Sequence, residues 1–335
     1  MAIKPSKIAE DLAQIKLDRA LRPNTLDEMV GQADFKERIK IAIQAAKERE
    51  EPIPHILLTG PAGYGKTTLS NVITNDYGSK MNVFNSSGIK TIADLIDALK
   101  SVKRNGIIFL DEIHAINKAL QTSLLNCLED FKLTIKLINK QTITIDVNPF
   151  TMIGATTEVG KLCQPFIDRF DISYNMQPYN DDELFTIVKA NVVKLELDYD
   201  SDETLMKIAQ RSRGVPRMAN RLLRRVRDYS QVNTENVITS ESVDYALSLE
   251  GIDSDGFTDL DIQYMKILYK VFGAGPAGKD SIASCLNEDP KTVENVIEPF
   301  LVRKGYVTRS KNGRVLTKDG VDWVLNSATN GGQDE

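Results

Sequence analysis

Cysteine, histidine and tryptophan are scarce in this chain: 3, 2 and 1 in 335 residues. Cys127, Cys163 and Cys285 form no C-x-x-C pair, which excludes a disulfide framework and a cysteine-based zinc finger. His55 and His114 alone cannot build a multi-histidine metal centre. Long apolar runs are missing too. Stretches such as Ile107–Leu110 stop far short of the roughly 20 residues that span a bilayer. Met1–Lys16 carries no charged-then-apolar leader, so a cytoplasmic protein with no membrane partner is expected. Neither sign of charge dominates: 42 basic and 47 acidic residues leave a net charge of −5, a mild acidity that counts against nucleic acid until its distribution is known. The 41% hydrophobic and 27% charged content is that of a globular protein, and the length allows two or three domains.

Residues 1–20 read as a polar N-terminal arm. Over 21–179, three short apolar strands (His55–Thr59, Ile107–Leu110 and Thr151–Ala155) lie between helical stretches, the pattern of an α/β domain with a parallel sheet. Residues 180–250 read as all helix, with Asp181-Asp182-Glu183 at one start. Gly251–Thr258, rich in Asp, Ser and Gly, is expected to be a linker before a small module over 258–326.

Gly60-Pro61-Ala62-Gly63-Tyr64-Gly65-Lys66-Thr67-Thr68 fits G-x-x-x-x-G-K-[ST] between an apolar strand and a helical stretch, Thr67–Asp76. Its glycines, Gly60, Gly63 and Gly65, let backbone N–H groups close around phosphate oxygens at a helix N-terminus. Lys66 is placed on the β- and γ-phosphates and the Thr67 hydroxyl on Mg²⁺. The strand Ile107–Leu110 ends in Asp111-Glu112, carboxylates suited to holding Mg²⁺ through water and to polarising an attacking water. Thr156 brings a hydroxyl to the end of the third strand. Arg169 and Arg217 are each candidates to stabilise phosphoryl charge, which spacing alone does not decide.

At the far end, Asp259–Phe272, Asp280–Leu286 and a helix from Pro290 precede two alternating segments around Asn312-Gly313, the helix–helix–helix–ribbon order of a winged helix. Val293, Val296, Ile297, Phe300 and Leu301 mark one apolar face of the third helix. Arg303–Lys318 carries Arg303, Lys304, Arg309, Lys311, Arg314 and Lys318 and no acid, a ribbon suited to phosphate contacts. A second basic run, Lys207 through Arg227, holds eight basic residues and no acid; apart from Arg217 these are expected to brace helices and subunit contacts.

Leu21-Arg22-Pro23, Gly31-Gln32, the phosphate loop, Leu110–His114, Glu129-Asp130-Phe131, Ile153–Thr157, Asp168-Arg169-Phe170 and Arg211–Asp228 follow in one order. Together they resemble the RuvB family, bacterial Holliday-junction branch-migration ATPases of the AAA+ class, over roughly Leu21–Thr317. The resemblance implies an AAA+ P-loop ATPase core, an all-α lid and a winged helix, with ATP/ADP and Mg²⁺ as ligands. It also implies a hexameric ring on double-stranded DNA at four-way junctions. Leu21 and Arg22 fall on the family's adenine-side pocket, and Gly63, Lys66, Thr67 and Thr68 on its phosphate and Mg²⁺ contacts. Glu129, Asp130, Phe131 and Tyr179 fall on residues that line the nucleotide. Thr156, with Thr157 as its alternative, matches the sensor hydroxyl. Arg169 matches the finger inserted into the next subunit's site, Arg217 the second sensor, and Arg309 and Arg314 the DNA-contacting arginines.

Four departures mark a divergent member, of the kind a phage or mobile element carries: Ala62 for a proline, Ile167 for an arginine, Asp171 for a glycine, and the segment Lys132–Val147. That segment reads as a hairpin around Asn139-Lys140-Gln141. The family's longer, basic, glycine-rich version docks the junction-binding protein RuvA, so the short tip counts against a RuvA-like partner. Two rival functions remain: a clamp-loader-like ATPase, against which the winged helix speaks, and a nucleotide-switched DNA-binding scaffold, against which Glu112 and Arg169 speak.

Overall fold

The computed structural model describes residues 20–136 and 142–330. The N-terminal arm and the expected turn at Asn139-Lys140-Gln141 therefore lie outside the described residues. Two compact units emerge: one holds the chain to Glu196 together with Gly214–Asn220, the other Leu197–Arg213 and the chain from Arg221 onward.

The first unit begins with α1 (Ala33–Arg49), β1 (Ile56–Thr59), α2 (Lys66–Tyr77), β2 (Met81–Asn85), α3 (Ile92–Lys100) and β3 (Gly106–Asp111). It continues with α4 (Lys118–Asp130), β4 (Lys132–Lys136), β5 (Thr142–Asp146), β6 (Phe150–Thr156), α5 (Gln164–Ile167), β7 (Ile172–Asn175) and α6 (Asp181–Lys194). Five strands form a parallel sheet in the order β2-β3-β6-β1-β7. Because side chains alternate along a strand, Ile107 and Phe109 face one apolar layer with α1 and α2, while Ile108 and Leu110 face the other with α3 and α4. The three expected strands are the three central ones. The two that the pattern missed, β2 and β7, are the sheet edges, half-exposed and therefore without a continuous apolar run. β4 and β5 pair antiparallel from Lys132↔Asp146 to Lys136↔Thr142, as the hairpin reading expects.

α6 starts at a capping box, with Asn180 and Glu183 exchanging side-chain-to-backbone bonds at 2.8 and 2.9 Å. By packing this helix belongs to the first unit, where its inner face walls a cavity described below.

The second unit contains β8 (Asp198–Tyr199), α7 (Asp202–Gln210), most of α8 (Pro216–Asn233), β9 (Val237–Ile238) and α9 (Ser240–Leu249). Its basic residues brace these helices as expected: Lys207 and Arg211 both reach Asp244 at 2.6 Å, and Arg225 reaches Glu250 at 3.2 Å. Then follow α10 (Asp259–Lys270), α11 (Lys279–Leu286), α12 (Pro290–Thr292), a π-helical stretch (Val293–Ile297) and α13 (Glu298–Arg303). β10 (Val307–Ser310), β11 (Gly313–Leu316) and α14 (Lys318–Asn330) complete the winged helix.

Three local expectations are corrected here. The segment 251–258 is no loose linker: Ile252 and Phe257 are buried, and the Phe257 ring sits 5.0 Å from Trp323 and 5.4 Å from Phe300. Val296 is exposed although its α-helical spacing puts it on the apolar face, because the wider π turn rotates it away from Val293 and Ile297. The hairpin turns at Lys311-Asn312, not at Asn312-Gly313. Gly313 lies in β11, where the backbone of Ala277 pairs with Arg314 so closely that a Cβ would strike it.

Candidate functional site

The loop between β1 and α2 leaves the C-terminal edge of the sheet, where parallel strands present ligand sites. Gly63 has φ +85°, and a Cβ there would lie 2.8 Å from Val215, so only glycine lets residues 215–217 approach. Arg217 N–H donates to the Gly63 carbonyl at 3.4 Å. Lys66 is buried within the loop, its ammonium donating to the carbonyls of Gly60 and Pro61 at 2.7 and 3.0 Å. Burial lowers its pKa, the carboxylates of Glu112 and Asp111 oppose that shift, and Arg217 adds to it. Lys66, Asp111, Glu112 and Arg217 thus share one electrostatic neighbourhood.

Asp111 ends β3, and its Oδ1 accepts from the Glu112 N–H at 3.1 Å. Glu112 has φ +48°, a left-handed backbone costing on the order of 1–3 kcal/mol that persists where surroundings over-determine it. Its Oε2 accepts from the Thr157 hydroxyl at 3.1 Å and the Thr157 N–H at 3.3 Å. The Thr156 hydroxyl is buried, lies 2.9 Å from His114 Nδ1 and accepts from the Glu158 N–H at 3.0 Å. Of the two adjacent threonines, Thr157 is the one on the carboxylate.

Beside the loop, a cavity of about 250 Å³ is lined by Leu21, Arg22, Gly65, Thr68, Tyr179 and Lys194 among others. Lys194, near the end of α6, donates to the Arg22 and Leu21 carbonyls at 3.4 and 3.5 Å, pinning that segment along one wall. Tyr179 is buried, and burial pushes its phenol up to about 12. Its ring packs against Gly31, where an added Cβ would lie 2.8 Å away.

Glu129, Asp130 and Phe131 are not beside this loop. Phe131 packs on Phe150 and His55 at ring distances of 5.9 and 6.5 Å, at the N-terminal ends of β6 and β1. The phosphate loop leaves the other end of β1, four residues or about 13 Å away. Arg169 accompanies them, 2.8 Å from Glu129. Residues 129–131, expected to line the nucleotide, thus lie away from the phosphate loop of their own chain; helix α4 runs from the loop's edge of the sheet to the opposite one.

On the wing, Arg309 and Arg314 are directly opposite one another across β10 and β11. Both reach Glu298, which is wholly buried, at 2.7 and 2.8 Å. Glu298 is the residue that sequence reasoning missed. Its signal was an acid inside the apolar run Val296-Ile297-Glu298-Pro299-Phe300-Leu301.

A phosphate loop on a parallel sheet, two carboxylates at the end of β3, and an arginine brought back from a helical segment define a P-loop ATPase of the AAA+ class. Family profiles match throughout: the Holliday junction DNA helicase RuvB P-loop domain over 21–176, the RuvB AAA lid domain over 179–253 and the RuvB C-terminal winged helix domain over 254–325. The chain belongs to the RuvB family. It is 40% identical over 313 residues, 92% of this chain and 91% of the other, to the Holliday junction branch migration complex subunit RuvB of Kosmotoga olearia. The solved Thermotoga maritima RuvB Holliday junction branch migration motor matches with a TM-score of 0.80 and 33% identity, over 91% of this chain and 98% of that one. A point-substituted form of that protein matches with a TM-score of 0.81 at the same identity and coverage.

Proposed function

We infer that this chain is an ATP-hydrolysing DNA motor that drives branch migration of Holliday junctions in recombination and repair. The observation that carries this reading is a phosphate loop that holds Lys66 against Gly60 and Pro61 and takes the Arg217 N–H on Gly63, in a chain that is RuvB-like from core to wing. The base of ATP occupies the cavity between Leu21, Arg22 and Tyr179; Gly60, Gly63, Gly65 and Thr68 receive the phosphates. Lys66 and Arg217 balance their charge. Glu112 orients the attacking water, and Thr157 rather than Thr156 is the sensor hydroxyl. Mg²⁺ takes hard oxygen donors and keeps most of its waters, a demand the Thr67 hydroxyl and Asp111 carboxylate fit; there it would neutralise phosphate charge.

Arg169 completes a neighbouring subunit's site, with Glu129, Asp130 and Phe131 on the same edge. A site divided this way requires an oligomer, and a hexameric ring around duplex DNA is the arrangement we propose. The functional division follows as a core over 21–179, a lid over 180–250 and a winged helix over 258–326. Arg309, with a side chain 41% exposed, contacts DNA phosphate; Arg314, 15% exposed, holds the wing through Glu298 and contributes field rather than contact. Among the described residues no helix is long and apolar enough to cross a membrane. A cytoplasmic location suits the DNA substrate.

The test is movement of a synthetic four-way junction with ATP and Mg²⁺, with and without a RuvA-like protein. Movement without it matches the short hairpin of β4 and β5. Movement only with it restores that partnership, and ATP hydrolysis without any movement favours the scaffold.

A further inference from the structure

His114 lies in the turn Ile113–Ala115, directly beyond the carboxylates that end β3, and has no role in the scheme above. Its side chain is 14% exposed. Nδ1 is 2.9 Å from the Thr156 hydroxyl oxygen and 3.1 Å from Glu112 Oε2. The hydrogen bond of Nδ1 is to Thr156. Two donors, the Thr157 hydroxyl and the Thr157 N–H, reach Oε2 of Glu112, with the His114 ring nitrogen beside the same oxygen. The same ring also adjoins the turn beyond β6. Nε2 lies 3.5 Å from Glu158, whose other oxygen meets Lys161 at 2.8 Å.

We propose that His114 is a positioning residue for Glu112, fixing with Thr157 the direction in which that carboxylate points. The inference rests on the ATPase reading above. Glu112 follows the strand with a left-handed backbone, so no regular element orients its side chain; the hydrogen bonds must do it. Thr156, buried beneath the ring, keeps His114 itself in place. The arrangement also explains why the buried hydroxyl and the functional one fall on adjacent residues: Thr156 supports the histidine from the core side and Thr157 meets the carboxylate from the solvent side. His114 takes no part in bond making or breaking.

The test uses the full chain with ATP, Mg²⁺ and duplex DNA, comparing wild type with His114→Ala, His114→Asn and His114→Phe. Misplacing a catalytic group lowers turnover on the order of 10- to 100-fold, so His114→Ala should lose that much kcat. KM for ATP and the Kd of a fluorescent ATP analogue should stay within about twofold, because ground-state binding is untouched. His114→Asn keeps a hydrogen-bonding group near Nδ1 and should recover most of the loss, whereas His114→Phe keeps a ring but no such group and should not. Wild-type kcat in His114→Ala, equal recovery by Phe and Asn, or lost nucleotide binding in all three variants would each overturn the proposal. Absence of hydrolysis by the wild type would instead overturn the ATPase reading.

Discussion

Arg314 Nε lies 2.8 Å from Oε1 of Glu298, a carboxylate with no solvent exposure, and Arg309 holds the other oxygen at 2.7 Å. The hydroxyl of Tyr264 donates to the same carboxylate at 3.3 Å. The hydrogen bond to Glu298 raises the pKa of Arg314, and the carboxylate's charge adds to it. Two of the wing's basic residues are therefore counter-ions inside the protein before either meets DNA. A buried carboxylate is tolerated only with such partners.

Breaking that pair has a cost separate from DNA affinity. Arg314→Ala should destabilise the winged helix by about 3–5 kcal/mol, the usual loss when one partner of a buried ion pair is removed. Chemical denaturation monitored at Trp323 reads this directly. Arg309→Ala leaves Arg314 on Glu298, so it should lower the denaturation midpoint less than Arg314→Ala does, and it should weaken duplex binding. It should also reduce the slope of log K against log salt by about 0.9, one phosphate contact. An unchanged salt slope would remove Arg309 from the interface.

The phosphate loop and the carboxylate should separate binding from chemistry. Lys66→Ala is expected to abolish both ATP binding and hydrolysis. Glu112→Gln should keep nucleotide affinity within about twofold while kcat falls at least 100-fold, the range associated with loss of a positioned general base. Equilibrium binding and single-turnover hydrolysis distinguish the two.

Placement of Arg169 at the edge opposite the phosphate loop's end of β1 predicts complementation between subunits. Arg169→Ala alone should lower hydrolysis by about 10³-fold, as loss of a finger does. In rings mixed from Arg169→Ala and Lys66→Ala chains, some sites join an intact Lys66 to an intact Arg169 and should recover activity. A mixture no more active than its components would sink the assignment in trans.

His55 makes the fold sensitive to acid. Its Nε2 is 2.9 Å from the Leu128 carbonyl, and Nδ1 accepts from the Met152 N–H at 3.0 Å, so the ring is neutral and cannot take a second proton without breaking a bond. Burial holds its pKa below the ordinary 6.5, with the Leu128 hydrogen bond and Asp171 opposing the shift. Above 6.5 both folded and unfolded chains carry it neutral. As pH falls below 6.5 the unfolded chain gains a proton that the folded one resists, so stability drops until the folded pKa is passed. Denaturation midpoints between pH 8 and 5 should show a steeper decline for wild type than for His55→Asn; parallel curves would exclude the residue.

Much of the candidate site was legible because its signals are local. The phosphate loop, Asp111-Glu112 and the central strands are contiguous runs in which residue type and neighbour decide the conformation. Asp181-Asp182-Glu183 likewise marked the start of α6, although the cap itself is Asn180. The edge strands β2 and β7 escaped because half-exposed segments carry no continuous apolar pattern.

By itself, the amino-acid order determined that the chain holds a phosphate loop, a helical segment and a basic ribbon behind a net charge of −5, and those features sufficed for the chemistry. Tertiary structure alone decided how those parts meet. It put Thr157, not Thr156, on Glu112, because alternation along β6 turns the earlier hydroxyl into the core. Glu129 moved to the far edge beside Arg169, because the length of α4 carries the chain across the sheet. And it set Glu298 beneath both wing arginines, because a π turn followed by a two-stranded ribbon brings together residues 11 and 16 positions apart. Such contacts depend on distances through space, which no spacing along the chain encodes.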